Sequence, residues 1–127
     1  MSVVDELAAG KYISLTTYKK DGTAVATPVW VGQLGNHLVV TTQADSWKVK
    51  RARNNPKVRV AACDMRGKLT GVAFNGTAEV VTGAEATEIE GVIAKKYGLM
   101  FRLITWWEQR KGVHARAGVV ITLDPLT

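Results

Sequence analysis

The chain has a single cysteine, Cys63, among its 127 residues, so no disulfide can form within it. It has only two histidines, His37 and His114, and neither belongs to a spacing that could bind a metal. Both read as surface or packing residues. Cys63 lies in an apolar strand pattern and reads as a small core residue, not a nucleophile. Carboxylates are present, but Glu85, Glu88 and Glu90 form one solvated helix face rather than a catalytic pair. No catalytic residue and no metal site is therefore expected from side chains alone. No apolar run approaches the roughly 20 residues of a membrane span. The start, Met1-Ser2-Val3-Val4-Asp5, lacks the basic flank and apolar run of a signal peptide. With the lone cysteine, these absences make the cytoplasm the expected location.

The length is that of one ordinary domain, here 1–127, and 46% hydrophobic residues suffice for a core. A domain of this size buries a modest share of its surface, which leaves room for a subunit interface. The formal net charge is +6, and a balance of this kind favours an anionic partner. The cations are unevenly spread: Lys48, Lys50, Arg51, Arg53, Lys57 and Arg59 crowd one stretch.

The pattern along the chain is mainly β. Val3 to Ala9 reads as a short amphipathic helix ending near Gly10. Tyr12 to Tyr18 is rich in β-branched and aromatic residues and predicts a strand. Asp21-Gly22 is a strong hairpin signal leading to a return strand, Ala24 to Val31. Pro28 cannot donate to a ladder, so that strand belongs at an edge or is distorted there. A turn at Gly32 to Asn36 leads to His37–Thr42, and these three strands read as a meander. A short helix, Trp47 to Arg53, follows, capped by Asp45 or Ser46 and ended by Asn54-Asn55-Pro56. Further strands are predicted at Val58–Cys63, Thr70–Val81 and Gly118–Leu123. Before the last strand, Thr82 to Glu85 fits a capping box for a helix carrying Ile89, Val92 and Ile93 and stopping at Gly98. A second helical pattern runs from Met100 to Arg110. Six strands with a helical insertion before the last give a mainly β (α+β) chain and a small closed or half-open barrel.

The helix beginning at Ser46 breaks a local rule. Its first turn or so carries Lys48, Lys50 and Arg51, where the backbone dipole already places positive charge, at a cost of about 0.3–1 kcal/mol for each unpaired cation. A bound anion reverses that cost, because free N–H groups and cationic heads then point at it, and arginine grips phosphate with two nitrogens. At 100° per residue Val49 and Ala52 face inward, Lys48 and Arg51 share one flank, and Lys50 and Arg53 share the other. The hydroxyls of Thr41 and Thr42 just upstream suit the same anion. The competing reading is a solvated helix whose cations serve solubility.

Three runs together carry a resemblance: Gly22-Thr23-Ala24-Val25-Ala26-Thr27-Pro28-Val29-Trp30, then Leu38 to Thr42, then Ser46-Trp47-Lys48-Val49-Lys50-Arg51 with Asn54-Asn55-Pro56-Lys57-Val58-Arg59-Val60. The chain resembles the split-barrel flavin- and deazaflavin-binding superfamily related to pyridoxamine-phosphate oxidase, above all its F420-dependent branch, over roughly residues 5 to 124. The resemblance implies a six-stranded antiparallel split β-barrel of FMN-binding type and a homodimer with the cofactor at the subunit interface. It implies a ring system along Thr27, Pro28, Val29 and Trp30. It places the phosphate at Ser46, Lys48 and Arg51, with Thr41 and Thr42 lining the approach. Trp47 and Lys50 complete the expected cofactor set. F420 carries a tail of glutamates that FMN lacks, and Lys50, Arg53 and Lys57 suit that tail; FMN is the alternative cofactor.

The missing catalytic constellation agrees with a cofactor that carries the chemistry. The expected activity is hydride transfer from reduced F420 to a conjugated electrophile such as an enone, a quinone or a tetrapyrrole-like system. Solvent or a tyrosine such as Tyr97 would supply a proton, although no residue is singled out. Trp107 reads as structural, and Trp106 as facing either a dimer interface or an apolar substrate. Trp30 and Trp47 lie near the cofactor path, where stacking competes with packing. A non-catalytic carrier of a flavin, deazaflavin or haem-like ligand is the alternative. Nucleic-acid binding is disfavoured, because aromatic residues interleaved with the cations are sparse.

Overall fold

In the computed structural model, residues 2–44, 46–99, 103 and 116–125 are described. The elements in chain order are α1 (Val3–Ala9), β1 (Tyr12–Tyr18), β2 (Ala24–Trp30), β3 (Gly32–Leu34), β4 (His37–Gln43), α2 (Trp47–Asn54), β5 (Lys57–Cys63), β6 (Phe74–Val81), α3 (Ala84–Tyr97) and β7 (Arg116–Leu123). The strands form one antiparallel sheet in the order β2-β1-β5-β6-β7-β4-β3. Its two end strands, β2 and β3, are consecutive in the chain and separated by Val31 alone, so the sheet must curl until its edges meet. The result is a half-barrel with helices, as the sequence pattern predicts, with α3 inserted before the last strand.

Period-2 alternation sends one face of each strand inward. Ile13, Leu15, Leu38, Val40, Val58, Val60, Val119 and Ile121 fill the interior, and Val4, Leu7 and Ala52 from α1 and α2 plug it. A second cluster lies outside the sheet, where Ile89 and Ile93 of α3 cover Val39 and Val81. Full burial of each such branched side chain stabilises by about 1.5–3 kcal/mol, so α3 is pinned by its apolar stripe.

Several expectations are corrected. There are seven strands, not six: Gly32–Leu34, read as part of a turn, pairs with His37–Val39, and only Gly35 and Asn36 make the turn. The first three predicted strands are not a meander, because β4 pairs with β3 and β7 and never with β2. The strand expected from Thr70 starts at Phe74; Thr70 N–H bonds instead to the Ala62 carbonyl, and Leu69 makes an isolated bridge to Cys63. The capping box at Thr82 to Glu85 does not form. Helix α3 begins after Gly83, whose φ of 67° suits glycine, and Thr82 then lies outside capping reach. A capping box occurs at α1 instead, where Ser2 Oγ accepts from Asp5 N–H and Asp5 Oδ2 accepts from Ser2 N–H, each at 3.1 Å. The helical pattern of Met100 to Arg110, with Trp106, Trp107 and His114, lies outside the described residues apart from Leu103. Among the described residues no helix is long and apolar enough to cross a membrane.

Strands β6 and β7 approach so closely that a Cβ on Gly76 would lie 2.6 Å from the Thr122 carbonyl oxygen. That neighbour is backbone and cannot swing away. Gly76→Ala is therefore expected to lower the unfolding free energy by about 1–3 kcal/mol, read as a lower urea midpoint. An unchanged midpoint would show that the two strands separate without cost.

Candidate cofactor site

The site begins with a bend. Strand β3 pairs with β4 in the register Gly32↔Val39, Gln33↔Leu38 and Leu34↔His37. Continued without a break, that register would set Trp30 opposite Thr41 and Pro28 opposite Gln43. Those pairs do not form. The chain turns at Val31, and β2 leaves β4 to pair with β1 alone, Pro28 lying opposite Ser14. Pro28 thus sits on an edge strand, where its missing N–H costs no ladder bond. A split opens between the outer edge of β2 and the second half of β4. Among the described residues neither edge has a strand partner across it.

Helix α2 lies at the end of β4, and its N-terminus faces this region. Ser46 is its N-cap, with Oγ accepting from Val49 N–H at 3.4 Å. Val49 and Ala52 are buried, as their helical spacing predicts, and this turns the cations outward. Lys48 Nζ donates to Thr42 Oγ1 at 3.3 Å, and Thr42 Oγ1 donates to Ser46 Oγ at 3.5 Å. These bonds are long and weak, and Lys48 has two further N–H donors. Arg51 Nε donates to Thr17 Oγ1 at 2.7 Å, which fixes the guanidinium while its outer nitrogens stay uncommitted among the described residues.

Burial pushes the Lys48 ammonium below the usual lysine range, and the neighbouring Arg51 and Arg116 charges push it further the same way. Each influence opposes the charged form.

The structure redistributes the expected set. Ser46, Lys48 and Thr42 come together at the helix start, whereas Arg51, expected in the first turn, lies with Arg53 in the last turn, because α2 is only eight residues long, and is held there by Thr17. Thr41 and Thr42 are neighbours on a strand and point to opposite faces; Thr41 Oγ1 accepts instead from Arg116 Nε at 3.3 Å. Thr27, Pro28, Val29 and Trp30 form the β2 lip of the split. Trp30 is stacked on Tyr97, with ring centroids 4.4 Å apart and planes within 6°. Trp47 is 71% exposed, and the Lys50 ammonium lies 4.6 Å from its ring centroid.

On the far side of Arg51, a groove of about 550 Å³ runs between the β1–β2 hairpin and α2, lined by Lys19, Lys20, Val25, Trp47, Lys50, Arg51 and Asn54. Arg51 therefore belongs to both flanks of the helix. Arg53 and Lys57, expected beside Lys50, are exposed and do not line this groove. Their place is taken by Lys19 and Lys20. Those two were legible only as turn residues, and Arg116 gave no local signal because it reaches α2 through the β4–β7 pairing.

Other candidates are committed elsewhere. The Tyr97 hydroxyl is committed to backbone, donating to the Lys11 carbonyl at 2.5 Å and accepting from Val31 N–H at 3.1 Å. His37 Nδ1 bonds Thr122 Oγ1 at 3.1 Å, a packing role. Cys63 is buried, and burial pushes its thiol up, away from nucleophile behaviour.

Comparison with known proteins agrees with this architecture. The family described as pyridoxamine 5'-phosphate oxidase matches residues 2–126. The chain belongs to that family. Among solved structures, the conserved hypothetical protein Rv2991 from Mycobacterium tuberculosis is 25% identical with a TM-score of 0.72, covering 98% of this chain and 82% of that one. An F420 reductase is 17% identical with a TM-score of 0.62, covering 98% and 96%. The heme storage protein HutZ from Vibrio cholerae is 12% identical with a TM-score of 0.66, covering 98% and 88%. No curated protein matches the chain.

The Lys48 environment gives a pH prediction. Its folded pKa lies below its unfolded value, so the unfolded chain holds the proton more tightly and the unfavourable contribution is fully present at neutral pH. It is relieved as pH rises through the folded pKa towards the ordinary lysine value of about 10.4. A bound anion favours the charged form, so binding takes up a proton in that alkaline window. Affinity for inorganic phosphate, measured by calorimetry, is expected to fall as pH rises through it, and Lys48→Met to flatten the profile. The same steep profile in Lys48→Met would place the titrating group elsewhere.

Proposed function

We propose that this protein is an F420-dependent oxidoreductase of the cytoplasm that acts on a small conjugated electrophile, such as an enone, a quinone or a tetrapyrrole-like molecule. The observation that carries the reading is the alignment of three features: a strand edge with no neighbouring strand among the described residues, a cation cluster with uncommitted donors, and a second cationic groove joined to the first through Arg51. A cofactor with a planar ring, a phosphate and an anionic tail matches that sequence of environments.

The donor set fits a phosphate. Ser46, Lys48, Arg51 and Thr42 present hydroxyls, an ammonium and a guanidinium, and Lys48 is disfavoured as a cation until an anion arrives. The edge of β2 at Thr27, Pro28 and Val29 would hold the polar rim of the ring, with Trp30 beside it. Thr41 would meet the linking chain from the opposite lip. Trp47, Lys50, Lys19 and Lys20 would hold the tail, which favours F420 over FMN. When bound in reduced form, the deazaflavin supplies the hydride. The protein's part is to bind, orient and exclude water, with a second copy of the chain closing the split as a homodimer.

A binding role without turnover is the second reading, and one observation favours it. The Tyr97 hydroxyl, the tyrosine expected to supply a proton, is committed to backbone at Lys11 and Val31. Relatives of the same fold named for F420 and for heme make both readings natural.

Affinities for F420 and FMN, measured side by side across salt, test the cofactor. F420 is expected to bind more tightly, with the advantage shrinking as salt screens the tail. Exposed pairs contribute about 0.2–1 kcal/mol each, so the triple change of Lys19, Lys20 and Lys50 to alanine should weaken F420 about tenfold and leave FMN unchanged. Equal losses for both would remove the tail from the account. Reoxidation of reduced F420 with a panel of electrophiles separates enzyme from carrier, since a carrier binds without turnover.

A further inference from the structure

Val31 is the residue at which the barrel opens, and neither of its backbone groups is in the sheet. In an unbroken β3–β4 ladder it would stand opposite Val40. Instead its N–H donates to Tyr97 Oη at 3.1 Å, and its carbonyl accepts from Lys96 Nζ at 2.7 Å. Two side chains from the last turn of α3 thus replace the ladder at this one position.

The same two side chains bind the chain entering β1. Lys96 Nζ also donates to the carbonyls of Ala8 at 2.6 Å and Gly10 at 2.7 Å, so its three N–H donors meet three backbone oxygens. Ala8 lies at the C-terminal end of α1, where the helix dipole favours a cation. Tyr97 Oη donates to the Lys11 carbonyl, and its ring lies parallel to Trp30, the last residue of β2. A merely apolar contact would stabilise this corner without fixing direction. A saturated ammonium and a bridging hydroxyl fix the backbone of Val31 in orientation as well as position.

We propose that Lys96 and Tyr97 are positioning residues for the split: they hold the bend at Val31 and the plane of Trp30, and so set the gap that receives a planar ring. The ring assignment rests on the functional reading above, whereas the clamp itself is a property of the free protein.

The test uses Tyr97→Phe, which keeps the stack and removes the hydroxyl, with Lys96→Met as the stronger lesion. In ligand-free protein, amide exchange at Trp30, Val31 and Gly32 is expected to rise about tenfold in Tyr97→Phe, the effect of one lost hydrogen bond, while amides of α2 keep their protection. F420 affinity is expected to fall by a similar factor with a displaced absorption band, and affinity for inorganic phosphate to stay at the wild-type value. Unchanged exchange at the bend in both variants overturns the clamp. Equal losses of F420 and phosphate binding, with exchange raised throughout, also overturn it, because they describe general destabilisation. If wild-type protein binds neither F420 nor FMN, the functional reading fails, and the exchange measurement still decides the clamp.

Discussion

The structure turns on one unformed ladder. Seven strands could close into a complete barrel if β2 continued the register that β3 makes with β4. They do not, because the chain bends at Val31 and β2 carries a proline at the position that would face Gln43. Closure would have hidden the edge of β2 and left no entry between the strands. The price of the opening is an exposed strand edge, which proteins ordinarily shield because it invites pairing with another chain. Here the open edge lies in the same part of the fold as the cations of α2.

Electrostatics gives the opening a direction. The strand lip contributes no charge, while the α2 end carries Lys48 and Arg51 with Arg116 beside them. Of these cations Lys48 alone lies in the first turn of α2 and is driven towards neutrality by burial, while Arg51 and Arg53 sit in the last turn, where the dipole favours them. Val49 and Ala52 anchor the helix from its opposite face. Thr17, buried on β1, fixes Arg51 from below.

Much of this was legible in the sequence where the signal is local. Asp21-Gly22 specified its hairpin, Pro28 specified an edge, and Val49 and Ala52 specified which way the cations of α2 face. Features that depend on contacts distant in sequence were not legible. Arg116 meets Thr41 only because β4 pairs with β7, and Lys19 and Lys20 reach the groove only because the β1–β2 hairpin leans over α2. Lys96 and Tyr97 read as the ordinary basic and amphipathic end of a helix. Nothing near them in the chain announces that Val31, Ala8 and Gly10 will supply their acceptors. The missed capping box failed for a simpler reason: glycine at position 83 starts the helix one residue later than the Thr-x-x-Glu spacing requires.

These observations separate two tasks that the same barrel performs. The core of branched aliphatic side chains fixes the curl of the sheet and is indifferent to what binds. The groove is lined by side chains outside that core: the hairpin lysines, the exposed Trp47 and Arg51. Arg51 links the tasks, since its Nε is held by a core-facing threonine while the rest of the guanidinium reaches both cationic flanks. A change in the width of the split needs substitutions at the far end, where α3 holds Val31. The two ends of the opening are governed by different helices, and neither can compensate for the other.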